Sequence, residues 1–187
     1  MRVRDVTPVL ERLPAQRWPV PPGDALVTHL AGLRPWLEAA SVGAPAIDLE
    51  RVSLRAPVAN PGKVIAVRGN YQGSEVSESG PAPPDPDLFL KAASSVAGAA
   101  DGIELRMPGR RVDHEVELVA VVGRPVACAA DAARPDVVAG YCIGIDVTMR
   151  GAEDRGLRKS LDGFTVLGPW LTTADEVADP GRLEIEL

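Results

Sequence analysis

Leu26, Leu30, Leu33 and Leu37 recur at intervals of three and four residues, the spacing of one helical face. Asp24 stands where a side chain would cap that helix. Pro35 falls inside the run and predicts a kink or a split, because proline removes an amide donor and crowds the preceding turn. Leu49–Leu54 alternates in the manner of a strand. Short apolar runs at Lys63–Val67, Leu88–Lys91, Ile103–Arg106 and Trp170–Thr172 read as further strands. The longest such run is Val112–Gly123, rich in β-branched residues and ended by glycine. Its later residues are apolar on both faces, which predicts a buried strand rather than a solvated edge. Tyr141–Thr148 predicts a second buried strand, and the alternation over Arg182–Leu187 a half-buried one. Ala129–Val138 predicts a helix that Pro135 opposes. From Ser74 to Asp87 the chain collects Ser, Glu, Pro and Gly and reads as a surface loop, either a lid or a plain connector.

Composition narrows the classes. With 45% hydrophobic but only 4% aromatic residues, the core must lean on Val, Leu, Ala and Ile. A net charge of −6 and the absence of any basic run argue against nonspecific nucleic-acid binding. Two cysteines, Cys128 and Cys142, are too few for a disulfide framework and are expected as small core residues. The N-terminus lacks the apolar core of a secretory signal, and no apolar stretch approaches the ~20 residues that span a bilayer. A cytoplasmic location without membrane contact is the expectation. At 187 residues the chain suits one domain, or a small one followed by a larger.

The chemistry concentrates on two of the predicted strands. Strand side chains alternate, so Glu115 and Glu117 share a face, roughly 6.5 Å apart at the backbone. Two such carboxylates repel and resist ionising together, and a hard divalent cation with oxygen ligands relieves that repulsion. The alternative is a solvated strand end whose glutamates pair with Arg110 and Arg111. Asp146 interrupts an uncharged run, and an unpaired buried charge is expensive. A cation shared by Glu115, Glu117 and Asp146 satisfies all three and leaves positions for water and substrate. Otherwise Asp146 begins a turn or caps the segment Met149–Arg155.

Asp113–Gly123, Ala139–Thr148, Arg158–Phe164 and Leu167-Gly168-Pro169-Trp170 follow Gly69-Asn70-Tyr71 and Leu88–Lys91 in a fixed order. The set resembles the successive signatures of the fumarylacetoacetate hydrolase family, from about Gly62 to the last residue; each motif is weak alone and the ordered set is specific. The resemblance implies an α+β, β-rich fold: the mixed β-sheet or roll of that family's C-terminal domain, here incomplete. Residues 58–187 would be the catalytic domain and residues 1–57 a small N-terminal region, similar in position only. It implies a site of Glu115, Glu117 and Asp146 for Mg²⁺, or Mn²⁺ or Ca²⁺. Lys159 matches a lysine that reaches the substrate's acidic or carbonyl oxygens. Tyr71, Lys91 and Arg150 stand as substrate-binding candidates, Arg150 through bidentate contact with a carboxylate. For Lys159 and Arg150 the alternative is a surface ion pair with Glu153, Asp154 or Asp162.

One departure bears on mechanism. Hydrolytic members of the family follow Asn-Tyr with a His and a Glu that activate water. Those positions hold Ser74 and Ser77 here, with Glu75 and Glu78 one place away as substitute bases. His114 alternates to the face opposite Glu115 and Glu117, and His29 belongs to the N-terminal helix, so neither repairs the loss. General-base catalysis contributes about 10²–10⁴-fold. Reactions that need only enolate stabilisation therefore rank first: a hydratase, decarboxylase or isomerase acting on a 2-oxo or 2-hydroxydienoic acid in aromatic-compound catabolism. An acylpyruvate-type carbon–carbon hydrolase using Glu75 or Glu78 comes second, and a non-catalytic subunit completed by another chain third. Family members continue past the position of Leu187, so a truncated or split form is expected. The last strand, left as an edge, invites a homodimer or a complementary chain.

Overall fold

A computed structural model describes residues 1–20, 23–71, 86–134 and 136–187. Strand β1 (Arg2–Arg4) pairs antiparallel with β2 (Ala46–Asp48), and helix α1 (Ala25–Gly43) runs between them. Asp24 caps α1 as expected, its side chain accepting from the Val27 amide at 3.1 Å. The second oxygen of the same carboxylate accepts from the Ala59 amide at 2.8 Å and ties the helix start to the segment that follows β2. Pro35 neither splits nor ends α1. Val27 and Leu33 of this helix are buried, and that packing outweighs one missing backbone hydrogen bond. The strand expected over Leu49–Leu54 is absent: β2 lies earlier, and Leu49–Arg51 is a turn of 3₁₀ helix. The partner β1 has only three residues to offer.

Strands β3 (Val64–Arg68) and β4 (Asp87–Lys91) form a two-stranded antiparallel sheet in which Ile65 faces Leu90 and Val67 faces Leu88. A four-stranded mixed sheet follows, built from β5 (Val96–Gly98), β6 (Val112–Val122), β7 (Val138–Met149) and β8 (Thr165–Thr173). Its order is β5-β8-β7-β6, with β5 parallel to β8 and the other pairs antiparallel. The β-rich α+β architecture is as expected. The place of β6 is not: among the described residues it pairs with β7 alone and forms a sheet edge. Val119 and Val121 pack into the core, while the Leu118 amide finds the Tyr71 hydroxyl at 2.8 Å. Two apolar faces therefore did not mean two covered edges.

Ile103–Arg106 and residues 183–187 are not strands. Alternation supplies a face, but among the described residues neither segment has a neighbouring strand to bond. The helix expected over Ala129–Val138 shrinks to α2 (Ala129–Ala132), and Pro135 lies outside the described residues. Helix α3 (Arg155–Arg158) is capped by the Asp154 side chain, which accepts from Gly156 and Leu157. One core cluster joins Val27 of α1 and Val58 to Val121, Cys142 and Leu167 of the large sheet. A second gathers Val147, Met149 and Phe164. Cys142 is a core residue as expected, whereas Cys128 is exposed. No helix among the described residues is long and apolar enough to cross a membrane.

Candidate metal centre

The register of β6 on β7 sets the site. Glu115 stands opposite Asp146, and Glu117 opposite Gly144. Directly opposed residues share a face, so the two-residue spacing of the glutamates brings both toward Asp146. One carboxylate oxygen from each of Glu115, Glu117 and Asp146 lies within 4.8 Å of the others. Glycine at 144 matters to this arrangement. A Cβ there would stand 2.6 Å from the Val119 Cγ2 and 3.7 Å from the Glu117 Cβ, so a side chain would press on β6 beside the glutamate.

Two buried lysines enter the cluster from other elements. Lys159, just after α3, donates from Nζ to Glu115 Oε2 at 2.7 Å, Asp146 Oδ2 at 2.7 Å and Thr148 Oγ1 at 2.5 Å. Lys91, at the end of β4, donates to Asp146 Oδ1 at 2.5 Å and to the Phe164 carbonyl at 2.8 Å. Arg150 reaches Glu115 Oε1 at 3.0 Å and Asp113 Oδ2 at 2.7 Å. Burial lowers the Lys91 ammonium pKa, with Asp146 pulling it back up. Burial likewise raises the Tyr71 phenol. Glu117 is pushed up to about 7, first by burial and then by the charges of Asp146 and Glu115, against a hydrogen bond from Tyr71 and the charge of Lys159 that hold it down. A carboxyl held back from ionising by burial and, secondarily, by like neighbours, beside two others with hard oxygens at hand, is a donor set that fits a divalent cation.

The structure thus brings together Glu115, Glu117, Asp146, Lys159, Lys91, Arg150 and Tyr71. The last four make contacts that the sequence did not specify. Lys91 has a side chain only 2% exposed and spends its ammonium on Asp146 and a backbone carbonyl, so it is not open to a substrate in this arrangement. Arg150 pairs with Asp113 and Glu115 rather than with Glu153, Asp154 or Asp162, and Lys159 is buried among acids rather than on the surface. Tyr71 touches Glu117 and the Leu118 amide. Arg110 and Arg111, the alternative partners of the glutamates, pair with Glu153 and Asp113. Asp146 neither begins a turn nor caps a helix. His114 is exposed. Glu75 and Glu78 lie outside the described residues. Sequence reasoning missed Thr148, which bonds Lys159; it shares the face of Asp146 by strand alternation, a signal present in the chain.

Residues 63–187 match the family described as Fumarylacetoacetate (FAA) hydrolase C-terminal. The chain is 44% identical over 204 aligned residues to a maleylpyruvate hydrolase of Aquipseudomonas alcaligenes, covering 99% of this chain and 69% of that one. The crystal structure of a maleylpyruvate hydrolase from Sphingobium sp. SYK-6 superposes with a TM-score of 0.76 at 37% identity, over 96% of this chain and 64% of its own. The same Sphingobium enzyme has been crystallised with manganese(II) and pyruvate. A 5-carboxymethyl-2-hydroxymuconate delta-isomerase from Mycobacterium smegmatis gives a TM-score of 0.56 at 38% identity, over 70% of this chain and 53% of that one. The chain therefore spans between about half and two thirds of these relatives' lengths.

Proposed function

Because this chain belongs to the fumarylacetoacetate hydrolase family, we propose that it is a divalent-metal-dependent enzyme that hydrolyses the carbon–carbon bond of an acylpyruvate-type 2-oxo acid in aromatic-compound catabolism. The observation that carries the reading is the convergence of Glu115, Glu117 and Asp146 on one face with the buried Lys159 ammonium bonded into the same cluster. Two relatives named maleylpyruvate hydrolase support hydrolysis over the hydratase, decarboxylase and isomerase chemistry that Ser74 and Ser77 favoured.

Glu115, Glu117 and Asp146 would hold Mg²⁺ or Mn²⁺. When bound, the ion supplies positive charge and Lewis acidity to a 2-oxo acid's carboxylate and adjacent carbonyl. With Glu115 and Asp146 given over to the ion, Lys159, which donates to both in this arrangement, would be freed to place its ammonium where the pyruvate fragment's oxygen gains negative charge as the bond breaks. Lys91 fixes Asp146, Tyr71 holds Glu117, and Arg150 is assigned to the substrate carboxylate. Glu78, with Glu75 as its alternative, takes a proton from water as the hydroxyl adds to the acyl carbonyl. Cleavage then gives a carboxylic acid and pyruvate, with one proton delivered to the pyruvate methyl carbon. All of these roles fall within residues 58–187, onto which the small region 1–57 packs through Val27. Ile65, Val67, Leu88 and Leu90 leave one face of β3 and β4 apolar and exposed, and we assign that face to a homodimer contact.

The test is pyruvate release from an acylpyruvate by the Mn²⁺-loaded protein, read with a coupled dehydrogenase. Lys159→Met should lower kcat by about 10²–10³-fold, the usual effect of removing one group that stabilises an oxyanion. The isomerase among the structural relatives favours a second reading. Solvent exchange of the C3 protons of a 2-oxo acid without pyruvate release would select it. Activity that appears only on mixing with another polypeptide would select the subunit reading.

A further inference from the structure

Beside the metal centre lies a groove of about 600 Å³ lined by Asp87, Leu88, Phe89 and Leu90 of β4 and by Asp154, Arg155, Gly156 and Arg158 of the α3 segment. Phe89 is the wall that this groove shares with the site. Its ring centre is 5.7 Å from Lys159 Nζ and 5.4 Å from the Arg155 guanidinium carbon. The two cations are therefore no farther apart than those distances laid end to end. Arg155 uses Nη1 on Asp87 Oδ2 at 2.8 Å. Its Nε and Nη2 have no protein partner among the described residues. Arg68 also reaches Asp87 Oδ2, at 3.5 Å, so the charge of Asp87 is divided between two guanidiniums. Arg158, the groove's other cation, bonds two neutral carbonyls, those of Glu153 and Met149. The remaining acid, Asp154, is occupied in capping α3.

We propose that Arg155 is a specificity-determining residue that binds the distal carboxylate of a 2-oxo diacid whose 2-oxo-acid head lies at Lys159. The inference rests on the reading of the metal centre given above. A guanidinium that lines the groove, keeps one edge unpartnered among the described residues and is backed by an aromatic face presents paired donors to a carboxylate. The apolar Phe89 ring suits the carbon chain between the two ends of the substrate. An Arg in this place selects for a diacid over a monoacid of equal length, because only the diacid satisfies the open edge.

Calorimetric titration of the Mn²⁺-loaded protein with 2-oxoadipate and with 2-oxohexanoate isolates this contact, since the two differ only at the far end. The wild type should bind the diacid about 10- to 100-fold more tightly, the range for a hydrogen bond to a charged group. Arg155→Met should remove the preference and leave 2-oxohexanoate affinity and the Mn²⁺-dependent melting temperature unchanged. Arg155→Lys, which keeps the charge and loses the fork, should retain part of the preference. Equal affinities in the wild type, or a preference that survives in Arg155→Met, would overturn the proposal. If Mn²⁺ binds but neither oxo acid does, the placing of the 2-oxo-acid head at Lys159 is at fault; if Mn²⁺ itself does not bind, the reading of the metal centre is at fault; the distal site falls in both cases.

Discussion

At the scale of single residues, the cluster is a set of mutual constraints. Asp146 is buried and bonded to both Lys91 and Lys159. Deleting one partner of a buried pair leaves a charge without compensation. Lys91→Met leaves Asp146 with Lys159 as its remaining cation, so by urea denaturation it should cost less than the ~3–5 kcal/mol of a buried pair broken outright. Glu117 gives the pH dependence. Its carboxyl sits at about 7 in the ion-free fold, above an ordinary value of 4.5. Ionising it opposes that fold, so this group's contribution to ion-free stability is full below 4.5 and is lost as pH rises through 7. Only the ionised form is a ligand, so Mn²⁺ affinity should fall by about tenfold per unit as pH drops below 7 and level off above it. Affinity that stays flat from pH 5 to 8 would remove Glu117 from the ligand set. The three acids were legible in the chain because strand alternation is short-range. The service of Lys91 to Asp146 was not, because it joins residues 55 positions apart on different sheets.

Among elements, the register of β6 on β7 decides whether three carboxylates converge or scatter, since a slip of one residue would turn Glu115 and Glu117 to the other face. Gly144 protects that register. Gly144→Ala sets a Cβ 2.6 Å from the Val119 Cγ2 and should cost about 1–3 kcal/mol through overpacking, with weaker Mn²⁺ binding. Val119→Ala added to it should restore part of the loss, a non-additivity measurable by a double-mutant cycle. Full additivity would mean that the contact is not the cause. The strands that carry the site were readable from apolar runs and interrupting acids. Those at Ile103–Arg106 and Arg182–Leu187 were misread because a pattern specifies a face while a strand also requires a neighbour. Helix α1 was read correctly in place and cap; of the kink or split offered for Pro35, the split did not occur, since the packing of Val27 and Leu33 lies outside local propensity.

For the whole molecule, the face formed by Ile65, Val67, Leu88 and Leu90 is the one whose partner the account must supply. Leu88→Lys with Leu90→Lys should shift the mass measured by light scattering from dimer to monomer while leaving Mn²⁺ binding intact; an unchanged mass would place the contact elsewhere. The family, the mixed sheet and the order of motifs were visible in the chain because they are written in short ordered stretches. The choice among reactions was not, because it turned on Ser74 and Ser77, which lie outside the described residues. The central claim is that Glu115, Glu117 and Asp146 bind one divalent ion. Melting temperature with and without Mn²⁺ at 100 times its dissociation constant tests it most directly, since binding adds about 2.7 kcal/mol there, or about 5–10 °C for a chain of this size. The wild type should show that rise, and Glu115→Gln and Asp146→Asn should each lose it. A rise of equal size in all three proteins would contradict the claim.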